Sequence, residues 1–198
     1  NVGDNLFAID ADDIENGIVS NPWIYEVNVA RGFPDRLSIK IKERKPIAFI
    51  NLDALYFIDE SGTIFKRTSL GDDIDLPMIT GLKREDIYEE GRIYELSIKA
   101  INLIHLLAKR EADNYAANLN QLFFELGNLS EINVDKDYGI TLYTMQEGTR
   151  IELGDMDFIE GLERLDSIIK AKNGLSEIEF IGLNYKNGIV VKLNSKRA

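Results

Sequence analysis

The chain contains no cysteine and a single histidine, His105. The first absence removes disulfides, thiolate metal sites and cysteine nucleophiles together. The second leaves any zinc site to be built largely from carboxylates, an uncommon donor set. His105 itself lies in the apolar run Ile104-His-Leu-Leu, where a packed imidazole is the ordinary reading and a catalytic base the exceptional one. No apolar run approaches the ~18–20 residues of a membrane-spanning helix. The glycines are scattered and form neither a Gly-x-Gly-x-x-Gly, a phosphate loop nor a Gly-x-Ser-x-Gly elbow. Positive charge is short as well: 23 Lys and Arg stand against 34 Asp and Glu, a net −11. That balance argues against general nucleic-acid binding and against adhesion to anionic lipid. Asp72-Asp-Ile-Asp75 is acidic but lacks the ligand spacing and closing Glu of a calcium loop. These absences leave no metal, cofactor, nucleotide or small-molecule substrate to expect, and no reaction centre. A carboxylate-dependent hydrolase would need two facing acids, for which the sequence carries no specific sign.

What is present is enough for one large domain or two small ones. A chain of 198 residues, 44% hydrophobic and 29% charged, can bury a core without metal or disulfide. Its most informative stretch runs from Asn21 to Ala48. Trp23, Tyr25, Val27 and Val29 alternate with polar residues, and so do Leu37, Ile39 and Ile41 after the turn Arg31-Gly-Phe-Pro-Asp35. Period two marks half-buried strands, so a hairpin with one apolar and one basic face is expected. The basic face contains Lys40 and Lys42 and reads either as a solvated surface or as a contact for an acidic partner. Ahead of the hairpin, Ile9, Ile14 and Ile18 fall at helical spacing behind the cap Asp10, with Pro22 ending the helix.

Further strands are expected at Ile47–Asn51, and as a second hairpin over Leu55–Ile58 and Thr63–Phe65. Leu76-Pro77 to Gly81 reads as a seam. Beyond it come an amphipathic helix over Arg92–Arg110, an apolar segment Gln121–Leu126 read as a strand, and a hairpin over Ile132–Val134 and Ile140–Tyr143. A strand at Arg150–Leu153 follows, then a helix over Asp157–Lys172 whose core stripe includes Leu162 and Leu165. Two closing strands, Ile178–Tyr185 and Ile189–Leu193, meet at Lys186-Asn-Gly188, a tight-turn signal. If the last strand is an edge, its unpaired N–H and C=O groups form a template for a partner's strand, by main-chain bonding with side-chain pockets for specificity. Lys192 and the tail Lys196-Arg197 blunt the same edge, so binding and protected readings both stand. A proline at Val190 is expected to remove a donor from that ladder and leave the fold intact.

The order Pro22-Trp-Ile, Phe33-Pro-Asp-Arg-Leu37, Glu43-Arg-x-Pro-Ile-Ala48, Ile58-Asp-x-x-Gly-x-x-Phe65 and Leu76-Pro-x-x-x-Gly81 resembles the bacterial cell-division family FtsQ/DivIB. The resemblance implies an α+β fold: a POTRA-like module over 1–81, a helix packed on a small sheet without its opening strand. A mixed α/β domain with an antiparallel sheet and two longer helices would fill 82–198. It also implies an extracytoplasmic fragment of a single-pass membrane protein at the division septum, since the chain starts at Asn1 and a membrane helix lies upstream in the family. The implied role is a non-enzymatic divisome scaffold that binds FtsB or DivIC and FtsL on its last strand. The family's Tyr-x-Ser-Gly turn aligns with Tyr185-Lys-Asn-Gly188, Asn187 standing for Ser. Asn184 and Leu193 replace an Arg and a Trp of some members. Partner contacts are then expected at Tyr185, Asn187, Gly188, Ile189, Val190, Val191 and Leu193, with Leu162 and Leu165 on the neighbouring helix. A second recruitment surface is implied at Lys40, Lys42, Glu43 and Arg44, although Glu43 and Arg44 also read as structural charges at a strand bend. The alternative function is a POTRA-type chaperone that holds polypeptide strands for a translocation machine.

Overall fold

The computed structural model describes residues 10–33, 36–72, 75–87, 91–117, 122–185 and 188–194. Helix α1 (Ala11–Val19) begins where Asp10 accepts the Asp12 N–H at 2.9 Å, the cap expected from its sequence. Strands β1 (Ile24–Gly32) and β2 (Arg36–Glu43) pair antiparallel as a separate two-stranded sheet. Their alternation holds, but their burial is less than expected: Ile39 and Ile41 are 43% and 51% exposed. The reason is that α1 lies along β1, leaving the apolar side of β2 open among the described residues.

The remaining strands are β3 (Pro46–Asn51), β4 (Leu55–Asp59), β5 (Ile64–Arg67), β6 (Met78–Thr80), β7 (Leu129–Asp135), β8 (Gly139–Thr144), β9 (Arg150–Gly154), β10 (Ile178–Tyr185) and β11 (Gly188–Leu193). They form one sheet in the order β11-β10-β9-β8-β7-β6-β3-β4-β5, so the sheet runs unbroken past Gly81. The sheet is mixed rather than antiparallel. Pairs β3–β6, β6–β7 and β9–β10 are parallel: β4 and β5 intervene between the first two strands, and helices α2 (Arg92–Ala117) and α3 (Phe158–Lys172) supply the crossovers between β6 and β7 and between β9 and β10.

Both longer helices pack on one face. Ile132, Val134, Ile140, Leu142, Ile151, Leu153 and Ile181 are buried there, while the intervening Glu131, Asn133 and Glu152 face the other way. At the β3–β5 end that second face is covered too. Phe49 and Phe57 alternate with the core residues Ala48, Ile50 and Ile58, and Trp23 closes over them, 5.2 Å from Phe57 and 5.4 Å from Phe65 between ring centres. The sequence segment Gln121–Leu126 is not a strand over its described part. Asp166 of α3 accepts the N–H groups of Phe123 (3.1 Å) and Phe124 (2.9 Å), and Glu111 of α2 accepts that of Leu126, so carboxylates occupy the donors a ladder would use. Gly81 explains the end of its motif: at φ +83° it passes so close to β7 that a Cβ would lie 2.1 Å from the Val134 carbonyl oxygen.

Candidate partner-binding edge

The order of the large sheet leaves β11 with one neighbour, β10. Which of its backbone groups are free follows from the ladder. The Asn194 N–H donates to the Glu177 carbonyl at 2.8 Å, so Asn194 faces β10. Both irregularities in the pairing place the extra residue in β10, between Ile178 and Phe180 and between Gly182 and Tyr185. Strand β11 therefore keeps a strict period of two: Lys192 and Val190 direct their amides to β10, and Leu193, Val191 and Ile189 direct theirs outward. This corrects the expectation for Val190, whose N–H belongs to the internal ladder, so a proline there would damage the fold.

The side chains sort in the same way. Val191 lies opposite the buried Ile181 and packs on the core, which places Ile189 and Leu193 on the helix side of the sheet. Ile189 and Leu193 are 43% and 46% exposed, an apolar edge with nothing beyond it among the described residues. On the opposite side stand Val190 and Lys192, the latter paired with Glu179 at 2.6 Å. Tyr185 is half-exposed, and its hydroxyl lies 3.5 Å from Glu152. Its ring rests against Gly182, where a Cβ would approach ring carbon Cε2 to 2.4 Å. Gly188 begins the strand at φ +137°, and Asn187 lies outside the described residues. Leu162 and Leu165 are a correction. Both are fully buried in the core beneath α3, so neither offers a surface to a partner. The exposed apolar residue of that helix is Ile159.

The second set of candidates sits at the junction of the two sheets. Lys40 is exposed on β2, and Lys42 places its ammonium 4.4 Å over the Tyr25 ring. Arg44 is turned away from solvent: its Nη1 donates to Asp59 Oδ2 at 2.6 Å, and its own N–H donates to the Trp23 carbonyl at 2.7 Å. Asp59 is buried at the end of β4 and also accepts from the Ser61 N–H, the Ser61 hydroxyl and the Thr63 N–H. Burial opposes ionisation of this carboxyl, but the Ser61 and Thr63 donors and the Arg44 guanidinium outweigh it and hold its pKa below the ordinary value. The motifs around Trp23, Arg44 and Asp59 are thus parts of one joint. Sequence reading missed Asp59 because nothing local marks its partner 15 residues upstream. A cleft of about 590 Å³ lies beside the joint, lined by Tyr25, Ile41, Lys42, Glu43, Lys45 and Glu60 among others. His105 is exposed on α2.

No group of three or more His, Asp or Glu side chains among the described residues is placed to hold a metal ion. No helix among them is long and apolar enough to cross a membrane.

Residues 1–44 match the family described as POTRA domain, FtsQ-type, and residues 48–184 match the one described as Cell division protein FtsQ/DivIB, C-terminal. Strand β11 lies just past the matched span. The cell division protein FtsQ of Geotalea daltonii is 37% identical over 191 residues, covering 96% of this chain and 66% of its own length. That of Syntrophotalea carbinolica is 35% identical over 196 residues, covering 98% and 65%. The cell division protein DivIB of Clostridium tetani is 28% identical over 146 residues, covering 67% and 54%. The chain thus spans less than two thirds of the length of these relatives.

Proposed function

The chain belongs to the FtsQ/DivIB family of cell-division proteins, and from that premise we propose that it is a non-catalytic divisome scaffold that captures a partner's strand along β11. The observation that carries this reading is the edge itself: six residues, regular in alternation, apolar on the helix side, with the amides of Ile189, Val191 and Leu193 directed outward. Adding a strand there satisfies those donors and covers Ile189 and Leu193. The partner is an extracytoplasmic segment of the FtsB or DivIC homologue, in complex with FtsL. The parent protein is anchored by an upstream membrane helix, and this region works outside the cytoplasm at the septum.

The first module is the less suitable strand acceptor, which argues against a chaperone of extended polypeptides. The Val29 N–H on the outer side of β1 is taken by the Glu15 carboxylate at 2.7 Å. The module instead offers Lys40 and Lys42 as a basic face for a second acidic partner, with Arg44 holding the joint.

Calorimetric titration with the soluble segment of the FtsB or DivIC homologue from the same organism tests the reading. Saturable binding is expected, lost in Ile189→Pro while the variant's melting curve stays intact. Unchanged affinity in a folded Ile189→Pro protein would remove the edge from the account.

A further inference from the structure

Helix α2 has a second, mostly apolar stripe on one flank of its core stripe, exposed at Tyr94, Ile98 and His105 and resting against the core at Ile101. It runs Tyr94, Ile98, Ile101, His105 and continues through Ala108, Ala112 and Tyr115, in alternating steps of four and three. Its core stripe is different: Leu96, Ala100, Leu103, Ile104 and Leu107 are buried. In the second stripe Ile98 is 40% exposed and Tyr115 89% exposed, and no position carries a Lys, Arg, Asp or Glu. Alternating steps of four and three are the spacing that keeps one seam facing a partner helix in a left-handed pair. The seam is about 32 Å long at 1.5 Å per residue. Its first half also walls a groove of about 460 Å³ against Ile64, Leu82 and Ile87.

The charges beside the seam choose the partner. Glu95, Asn102 and Lys109 follow the seam residues Tyr94, Ile101 and Ala108, seven apart on one flank, and all three are exposed. When two copies of α2 run antiparallel about a two-fold axis at Asn102, each Glu95 faces the Lys109 of the other copy and the two Asn102 side chains face one another. The seam then pairs large with small: Tyr94 meets Ala112, Ile98 meets Ala108, and Ile101 meets His105 of the second copy. Such a surface is complementary to itself, which is what a two-fold contact requires. A parallel arrangement sets this flank against Ser97, Ile104 and Glu111 of the other copy and gains no opposite charge.

We propose that α2 is a self-association surface through which two copies of this chain pair antiparallel. A contact of three heptads on one helix lies below the ~1,200 Å² typical of stable complexes, so pairing is concentration-dependent.

The absence of cysteine supplies a direct test. In the 198-residue chain, Asn102→Cys is expected to form a disulfide-linked dimer under mild oxidation, faster than Ser167→Cys on the exposed side of α3. Glu95→Cys alone should not link to itself but should link to Lys109→Cys when the two are mixed. Sedimentation from about 10 µM to 1 mM adds a second readout. Glu95→Lys and Lys109→Glu each weaken association several-fold, and the double exchange restores it. A chain that stays monomeric throughout, or an Asn102→Cys that links no faster than Ser167→Cys, overturns the proposal and leaves the seam to a helix of another protein. Single charge changes without effect, or a double exchange without rescue, overturn the antiparallel pairing.

Discussion

The nine-stranded sheet has two ends, and they are finished differently. At one end β5 is four residues long, carries Lys66 and Arg67, and is backed by the aromatic cluster of Trp23, Phe49, Phe57 and Phe65. Lys66 is held in place by an ion pair with Asp72, whose carboxyl also accepts the Ser69 N–H at 2.7 Å. Short length, charge and a cross-braced neighbour are the devices by which an edge avoids acquiring a strand. At the other end β11 is longer, regular and apolar, and no element lies beyond it among the described residues. The same backbone chemistry is therefore latent at both ends and available at one. Edge position alone does not open a ladder; β11 differs from β5 in that nothing among the described residues interrupts its outward ladder.

Breaking each end in turn should separate binding from stability. The largest effect is expected for Ile189→Pro, which removes an outward donor: partner affinity should fall at least 100-fold, about 3 kcal/mol, with an unchanged melting temperature. Trp23→Ala at the opposite end should do the reverse. Loss of its contacts to Phe57 and Phe65 is expected to lower stability by about 2–4 kcal/mol in chemical denaturation, while the titration of the remaining folded protein is unaltered.

Asp59 sharpens the contrast through pH. Its folded pKa lies below the unfolded one, so its contribution is complete above the unfolded value and is lost as pH falls through the folded value. Melting temperatures measured from neutral pH to about pH 3 should fall in acid for the native chain, and Asp59→Asn should flatten that dependence after a loss of about 3 kcal/mol at neutral pH. The smallest effect is expected at Gly182→Ala. The added methyl displaces the Tyr185 ring from β10 and weakens partner binding about fivefold, read by the same titration.

Much of the fold was legible because its signals are local. Asp10 as a helix cap, the period-two runs around Val27 and Ile39, and the pairing of Tyr185 with Gly188 at the start of β11 each depend on neighbours a few residues away. The parallel pairings were not legible, since β9 meets β10 only across α3. Nor was the path of Phe123 and Phe124, set by Asp166 more than 40 residues on. The candidate edge was visible as a terminal β-branched strand, but its phase required the Asn194–Glu177 bond. Leu162 and Leu165 illustrate the limit of reading a site by position. Their spacing marks them as core residues, and the core is where they lie.

Hydrogen exchange at single residues tests the central claim most directly. In the free chain the amides of Ile189, Val191 and Leu193 should exchange quickly, and those of Val190 and Lys192, bonded to β10, slowly. Saturation with the FtsB or DivIC segment should slow the first three and leave β5 unchanged. Protection that appears at β5 or along β2, or binding that leaves Ile189, Val191 and Leu193 exchanging as before, would contradict strand capture at this edge.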